Sequence, residues 1–190
     1  MKAPFLFLLL AGLPAAAIEK PVYKVLEADK ERKVELREYA DIPVATAPMG
    51  GMQNQDGSFM KLFQYISGDN DGKQKIAMTS PVFMQTTAKD RGPAGSGKMS
   101  FMIPAEVARA GAPAPDGKDV TLGKIKGGRI AAIRFKGHKS EEKRQAAVQA
   151  LQAWITEKKW TPAGKPFFAY YNPPWTPGIF RRNEVLIRIK

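Results

Sequence analysis

The feature that most constrains this chain is an order of elements that occurs twice: two strands, an amphipathic helix, two strands. In the first half, alternating side chains predict an opening strand over 22–28 and then the strands 33–39 and 42–48. Phe59, Leu62, Phe63 and Ile66 then recur at helical spacing over 58–67, with Ser58 as N-cap and Gly68 as terminator. Strands follow over 75–84 and 98–103. In the second half, 119–126 and 129–136 read as a hairpin around Gly127-Gly128. A longer helix starts after Ser140, with Glu141 and Glu142 in its first turn and Lys158 and Lys159 at its end, both favourable to the helix dipole. Its apolar stripe is Ala147, Val148, Leu151, Trp154 and Ile155. Strands over 167–171 and 183–189 close the chain.

Each unit carries one amphipathic helix and a sheet with one apolar face, as in Val34-Glu35-Leu36-Arg37, where apolar and charged residues alternate. Neither unit covers its own core, and pairing the two does. The expected fold is α+β: a distorted β-barrel made of two pseudo-repeated ββαββ halves with two flanking helices. The half-units span about 18–104 and 119–190 of a single domain, with a proline-rich loop over 105–118 between them. A second long loop is expected over 85–98. At 190 residues, 44% hydrophobic, the chain can build an adequate core.

The first seventeen residues are set apart as an expected signal peptide. Lys2 precedes the apolar run PFLFLLLAGL, and Ala15-Ala16-Ala17 offers small residues before Ile18. That run is well short of the ~20 residues that span a bilayer, so cleavage and export to a bacterial periplasm are expected. The chain has no cysteine, which excludes disulfides, thiolate metal sites, covalent c-type haem attachment and a cysteine nucleophile. Loss of Lys2 leaves 29 basic residues against 18 acidic, a net charge of +11. That balance favours anionic partners: a small carboxylate ligand or an anionic membrane surface. The positives are dispersed and the chain is read as exported, which argues against nucleic acid.

No catalytic constellation is visible. His138 is the only histidine, in Lys136-Gly137-His138-Lys139, and lacks partners for a triad or a zinc site. Asp69-Asn70-Asp71-Gly72 opens like a calcium loop, but its glycine is misplaced and position twelve is Ser80. What remains is soft and aromatic: Phe59, Met60 and Phe63 on the first helix, then Met78, Phe83, Met84, Met99 and Met102. Near the end stand Phe167, Phe168, Tyr170, Tyr171 and Trp175, followed by Arg181-Arg182. Most of these belong in a core, but the set permits a planar, anionic, hydrophobic ligand. The two arginines have two roles open to them: pairing with a ligand's carboxylates, or capping the sheet beside Glu184.

Four stretches resemble the SOUL family of haem-binding proteins: VELREYADIPVATA, FMKLFQYISGDNDGKQKIAMTSPV, PAPDGKDV leading into IAAIRFKG, and YYNPPWTPGIFRRNEV. They occur in order across nearly all of the chain after residue 17. The resemblance implies a barrel of two related halves and reversible, non-covalent binding of haem or another tetrapyrrole, with no catalysis. It implies a shallow site between the first helix and the loop joining the last two strands. By position this gives Phe59, Phe63 and Gln64 on one side and Tyr171, Trp175 and Thr176 on the other, with Arg181 and Arg182 nearby. Animal members carry Met and Lys where this chain has Phe63 and Gln64. An iron ligand would come from His138, a methionine or a tyrosine, or be absent. The same fold with another apolar anion, or with the envelope surface as partner, is the alternative.

Overall fold

The computed structural model describes residues 18–49, 57–85, 97–137 and 140–190. In chain order its elements are β1 (Tyr23–Asp29), β2 (Val34–Tyr39), β3 (Ile42–Met49), α1 (Ser58–Ser67), β4 (Val82–Gln85) and β5 (Gly97–Met102). There follow α2 (Ala105–Ala110), β6 (Thr121–Ile125), β7 (Gly128–Phe135), α3 (Glu141–Glu157), β8 (Phe167–Tyr170) and β9 (Asn183–Arg188). The strands form one sheet in the order β1-β2-β7-β9-β8-β4-β5-β3-β6, every neighbouring pair antiparallel. Among the described residues the edge strands β1 and β6 are not paired with each other, so the ladder stays open where a barrel would close. No helix among the described residues is long and apolar enough to cross a membrane.

Both long helices lie on one face of the sheet. On α3, Ala147, Leu151, Trp154 and Ile155 meet Leu36, Ile133 and Val185. On α1, Leu62, Tyr65 and Ile66 meet Ala45, Ala47 and Phe101. Ile42, Val44, Phe83, Ile130, Phe167 and Leu186 point to the other face and pack against one another without a helix, so the sheet coils around its own apolar side chains. This coiling gives the sheet a concave inner face.

The expected hairpin at Gly127-Gly128 does not form. β6 pairs with β3, while β7 pairs with β2 and β9. The register nevertheless runs on unbroken, Tyr39 facing Gly128 and Ile42 facing Ile125, so the β2–β3 link and the β6–β7 link lie side by side. Between them a Cβ on Gly127 would lie 2.3 Å from the Tyr39 carbonyl oxygen. The Gly127 N–H donates to Asp41 Oδ1 at 2.8 Å, which pins the two links together. The glycine pair serves close approach of two backbones rather than a tight turn.

Three smaller expectations also change. The strand expected over 75–84 is confined to Val82–Gln85, because 74–81 makes its hydrogen bonds elsewhere. The segment 105–118, expected to be loop, contains α2: Pro104 precedes AEVARA, whose alanines, Glu106 and Arg109 favour a helix turn by turn. Gly57, at φ 70°, holds the N-cap position of α1 in place of Ser58, which is buried with its hydroxyl 3.7 Å from Met99 Sδ. Ser140 does cap α3, accepting from the Lys143 N–H at 3.2 Å.

Gly127→Ala is expected to cost about 3 kcal/mol or more, because the obstacle is backbone and has no rotamer to escape into. Gly123→Ala, where a Cβ meets nothing within 4 Å, should stay within about 0.5 kcal/mol of the parent. Urea unfolding midpoints of the two variants check the contrast.

Candidate ligand-binding surface

A ten-residue helix with one buried stripe should present polar side chains on its other side. The helix α1 does not: Ser58, Leu62, Tyr65 and Ile66 are buried, yet Phe59, Met60 and Phe63 are about half exposed. Phe59 and Phe63 lie one turn apart with rings nearly parallel at 11° and centroids 6.3 Å apart. The edge-on contact of Phe59 with Phe101, at 5.3 Å, anchors that pair to the sheet. Gln64 is exposed beside them.

The loop after β8 carries the other half of the expected site. Its shape is held by its own polar groups. Arg181 Nε donates to the Thr176 carbonyl at 2.7 Å, and a second guanidinium nitrogen donates to the Pro174 carbonyl. The Arg182 N–H donates to Asn172 Oδ1 at 2.6 Å, and the Asn183 side chain donates to the Gly137 carbonyl at 3.0 Å. So clasped, the loop leaves Trp175, Ile179 and Phe180 largely exposed, Trp175 at 83%.

Below the loop lies a buried charge. Glu184 is wholly buried and accepts five hydrogen bonds: two from Arg37, two from Arg182 and one from the Tyr171 hydroxyl, over 2.6–3.1 Å. Arg37 also donates to Glu35 at 2.6 Å and to the Tyr39 hydroxyl at 2.9 Å, and its guanidinium stacks 4.4 Å from the Tyr23 ring. Arg182 lies over the Tyr171 ring at 4.0 Å. Of the two roles open to the arginines, Arg182 takes the pairing with Glu184. The charged side of β2 therefore faces the coiled interior, not water as the alternation VELREY suggests. Burial alone would raise the Glu184 pKa; hydrogen bonds and charge from Arg37, then Arg182, outweigh it and hold the carboxyl below the usual glutamate range. Burial and the Glu184 charge push the Tyr171 phenol upward, and burial takes Tyr39 to about 12.

The segment 74–81 joins the helix to the loop. Ile76 N–H donates to the Ile66 carbonyl at the end of α1 (2.8 Å), Thr79 Oγ1 to the Met102 carbonyl (2.7 Å), and Ser80 Oγ to the Tyr171 carbonyl (3.1 Å). This is the KIAMTSPV stretch, and it leaves Met78 partly exposed between the two sides. The exposed Ile179 and Phe180 carry no periodic signal and escaped the sequence reading. His138 lies outside the described residues, as does the expected leader. Among the described residues no three His, Asp or Glu side chains gather to hold a metal ion.

The family model described as SOUL heme-binding protein matches residues 18–188. A search of curated proteins finds no match. Among solved structures, a protein described as a hydrolase from Listeria innocua shares 14% identity at a TM-score of 0.61, over 84% of this chain and 92% of that one. A conserved Listeria innocua protein, described as uncharacterized, shares 16% at 0.62, over 84% and 93%. The EcmrR C-terminal domain shares 15% at 0.56, over 89% and 98%. At these identities the likeness concerns the fold alone.

Removing one partner of a buried ion pair strands the other, so Glu184→Gln is expected to cost about 3–5 kcal/mol at neutral pH. Because the folded carboxyl titrates below its unfolded value of 4.5, the stabilisation is present above that pH and lost as pH falls through the folded value. Urea unfolding from roughly pH 3 to 7 should show a smaller acid-side loss in Glu184→Gln than in the parent.

Proposed function

Because the chain belongs to the SOUL heme-binding protein family, we propose that it binds haem or another tetrapyrrole reversibly, as a carrier, buffer or scavenger. Its role is that of a binder and not of an enzyme. The observation that carries this reading is the exposed Phe59–Phe63 pair on α1, a flat apolar surface where a helix of this length would otherwise be polar. Stacked rings suit one face of a macrocycle, and Gln64 offers a hydrogen bond at the edge.

Trp175 would meet the ligand from the loop side, with Tyr171, Arg181 and Arg182 setting the loop's position. Both guanidinium groups are already engaged, Arg182 by Glu184 and Arg181 by loop carbonyls. They therefore serve the site first as scaffold, and any charge they lend to propionates comes from the edge of that scaffold. Haem iron would add a Lewis-acidic centre. Met60, exposed beside the two phenylalanines, is the soft donor on this face. Thioether attachment of the c type is excluded, since the chain has no cysteine.

The protein acts, on this reading, after export to a periplasm, as one domain over 18–190 composed of two related halves curled toward a barrel. A second reading keeps the fold and replaces haem by another apolar anion or by the envelope surface. The exposed Trp175, Ile179 and Phe180 on a strongly basic chain favour it.

Haemin titration tests the first reading. The expected outcome is a Soret shift with Trp quenching that saturates at micromolar haemin. Phe63→Ala should weaken binding about tenfold while changing stability by no more than about 0.5 kcal/mol. An unshifted Soret band throughout the titration would reject haem as the ligand. Pelleting with anionic vesicles at physiological salt would then support the second reading.

A further inference from the structure

The inward side chains change character along the strands, and the change opens a cavity away from the α1 surface. On β3 they run Ile42, Val44, Thr46; on β5, Met102, Ser100, Lys98; on β6, Ile125, Gly123, Thr121. One end of the concave face is thus filled by large apolar groups, and the other holds short polar ones. Thr121, Thr46 and Ser100 are neighbours across three strands, with Thr46 and Ser100 hydroxyls 2.8 Å apart. Small side chains in that row leave a hollow of about 420 Å³, within the ~300–1,000 Å³ of small-molecule sites.

Phe83, Phe167 and Val44 give the hollow an apolar floor. Its charged lining is of one sign: Lys98, Lys124, Lys126 and Arg188, with no acidic side chain among the described residues that line it. Lys124 is paired with Asp41 at 2.6 Å, and Arg188 donates to the Lys126 and Gly127 carbonyls. Lys98 and Lys126 enter no ion pair among the described residues. An apolar floor, a hydroxyl row and a cationic rim complement one chemistry: a small organic anion with an aromatic or branched apolar body.

We propose that this end of the concave face is a second ligand site, distinct from the α1 surface, for such an aromatic carboxylate or sulfonate. The apolar body rests on Phe83 and Phe167, and the anionic head meets the cationic rim, which Lys98 supplies beside the hydroxyl row and Lys126 beyond Ile125. The inference rests on the cavity and stands whether or not haem binds at α1.

Gly123 supplies the test. It lines the hollow, and a Cβ there meets nothing within 4 Å, so Gly123→Phe fills the space without a backbone clash. The full chain is titrated with 8-anilinonaphthalene-1-sulfonate by fluorescence, and the probe is competed with 2-naphthoate and with neutral 2-naphthamide. The expected result is saturable one-to-one binding, with naphthoate displacing the probe about tenfold better than the amide. Lys98→Met with Lys126→Met should erase that preference. Gly123→Phe should abolish the response while thermal unfolding and haemin binding stay as in the parent. Equal competition by acid and amide would overturn the proposal. So would undiminished probe binding by a folded Gly123→Phe variant, or loss of the response in Phe63→Ala. Should Gly123→Phe fail to fold, the double lysine variant decides alone: retained preference for naphthoate overturns the proposal.

Discussion

A wholly buried carboxylate is tenable only if cations and hydroxyls replace the water it has lost. Glu184 meets that condition with groups from separate parts of the chain: Arg37 on β2, Tyr171 just past β8, and Arg182 at the end of the loop before β9. Arg37 in turn engages Tyr23 on β1 and Tyr39 at the end of β2. One charge therefore gathers the opening strands and the closing strands on the inner side of a coiled sheet. Arg182 reaches Glu184 two residues on while lying over the Tyr171 ring, and the loop between Tyr171 and Arg182 carries Trp175 outside.

The same interior explains why the sheet need not close through its hydrogen bonds. β1 and β6 are edge strands, and each carries a lysine, Lys24 and Lys124, among its exposed residues. The coil is maintained from within by Ile130, Phe83, Phe167 and Leu186, and from outside by α1 and α3. Where the β2–β3 and β6–β7 links lie side by side, only a glycine allows the contact with Tyr39 and Ala40. In place of a local hairpin the chain forms two long-range ladders in one register, β2·β7 and β3·β6, which bind early and late parts of the chain together.

Legibility in the sequence followed the range of the interaction. The helices α1 and α3 are set by residues three and four apart, and their limits were readable to a residue or so. Strand positions were readable from alternation, but strand partners were not. Gly127-Gly128 satisfies the local rule for a hairpin, and only the approach of Tyr39 from far away shows its other use. α2 was hidden because Pro104 and the later prolines outweighed a six-residue run of good helix formers. For the binding surface, the motif stretches led to Phe59, Phe63 and Trp175, which are exposed, and to Tyr171 and Arg182, which are committed to Glu184. Burial of a charged face is a property of the coiled sheet, and alternation on one strand carries no trace of it.

The two faces of the sheet now have different chemical potential for ligands. Outside, α1 presents a pair of stacked rings, which suits a large flat molecule held by contact area. Inside, charge is separated: Glu184 is enclosed by its arginines, Lys98, Lys126 and Arg188 line the hollow, and apolar side chains lie between. On β9 this separation falls on one strand, with Glu184, Leu186 and Arg188 spaced two apart on the inward side. The buried end is saturated by its own counter-charges and takes no further partner. The open end has cations without an internal carboxylate to match them. An anion that carries its own apolar body supplies the missing charge and fills the volume left by Thr46, Ser100 and Gly123, as Glu184 and the surrounding tyrosines do at the opposite end.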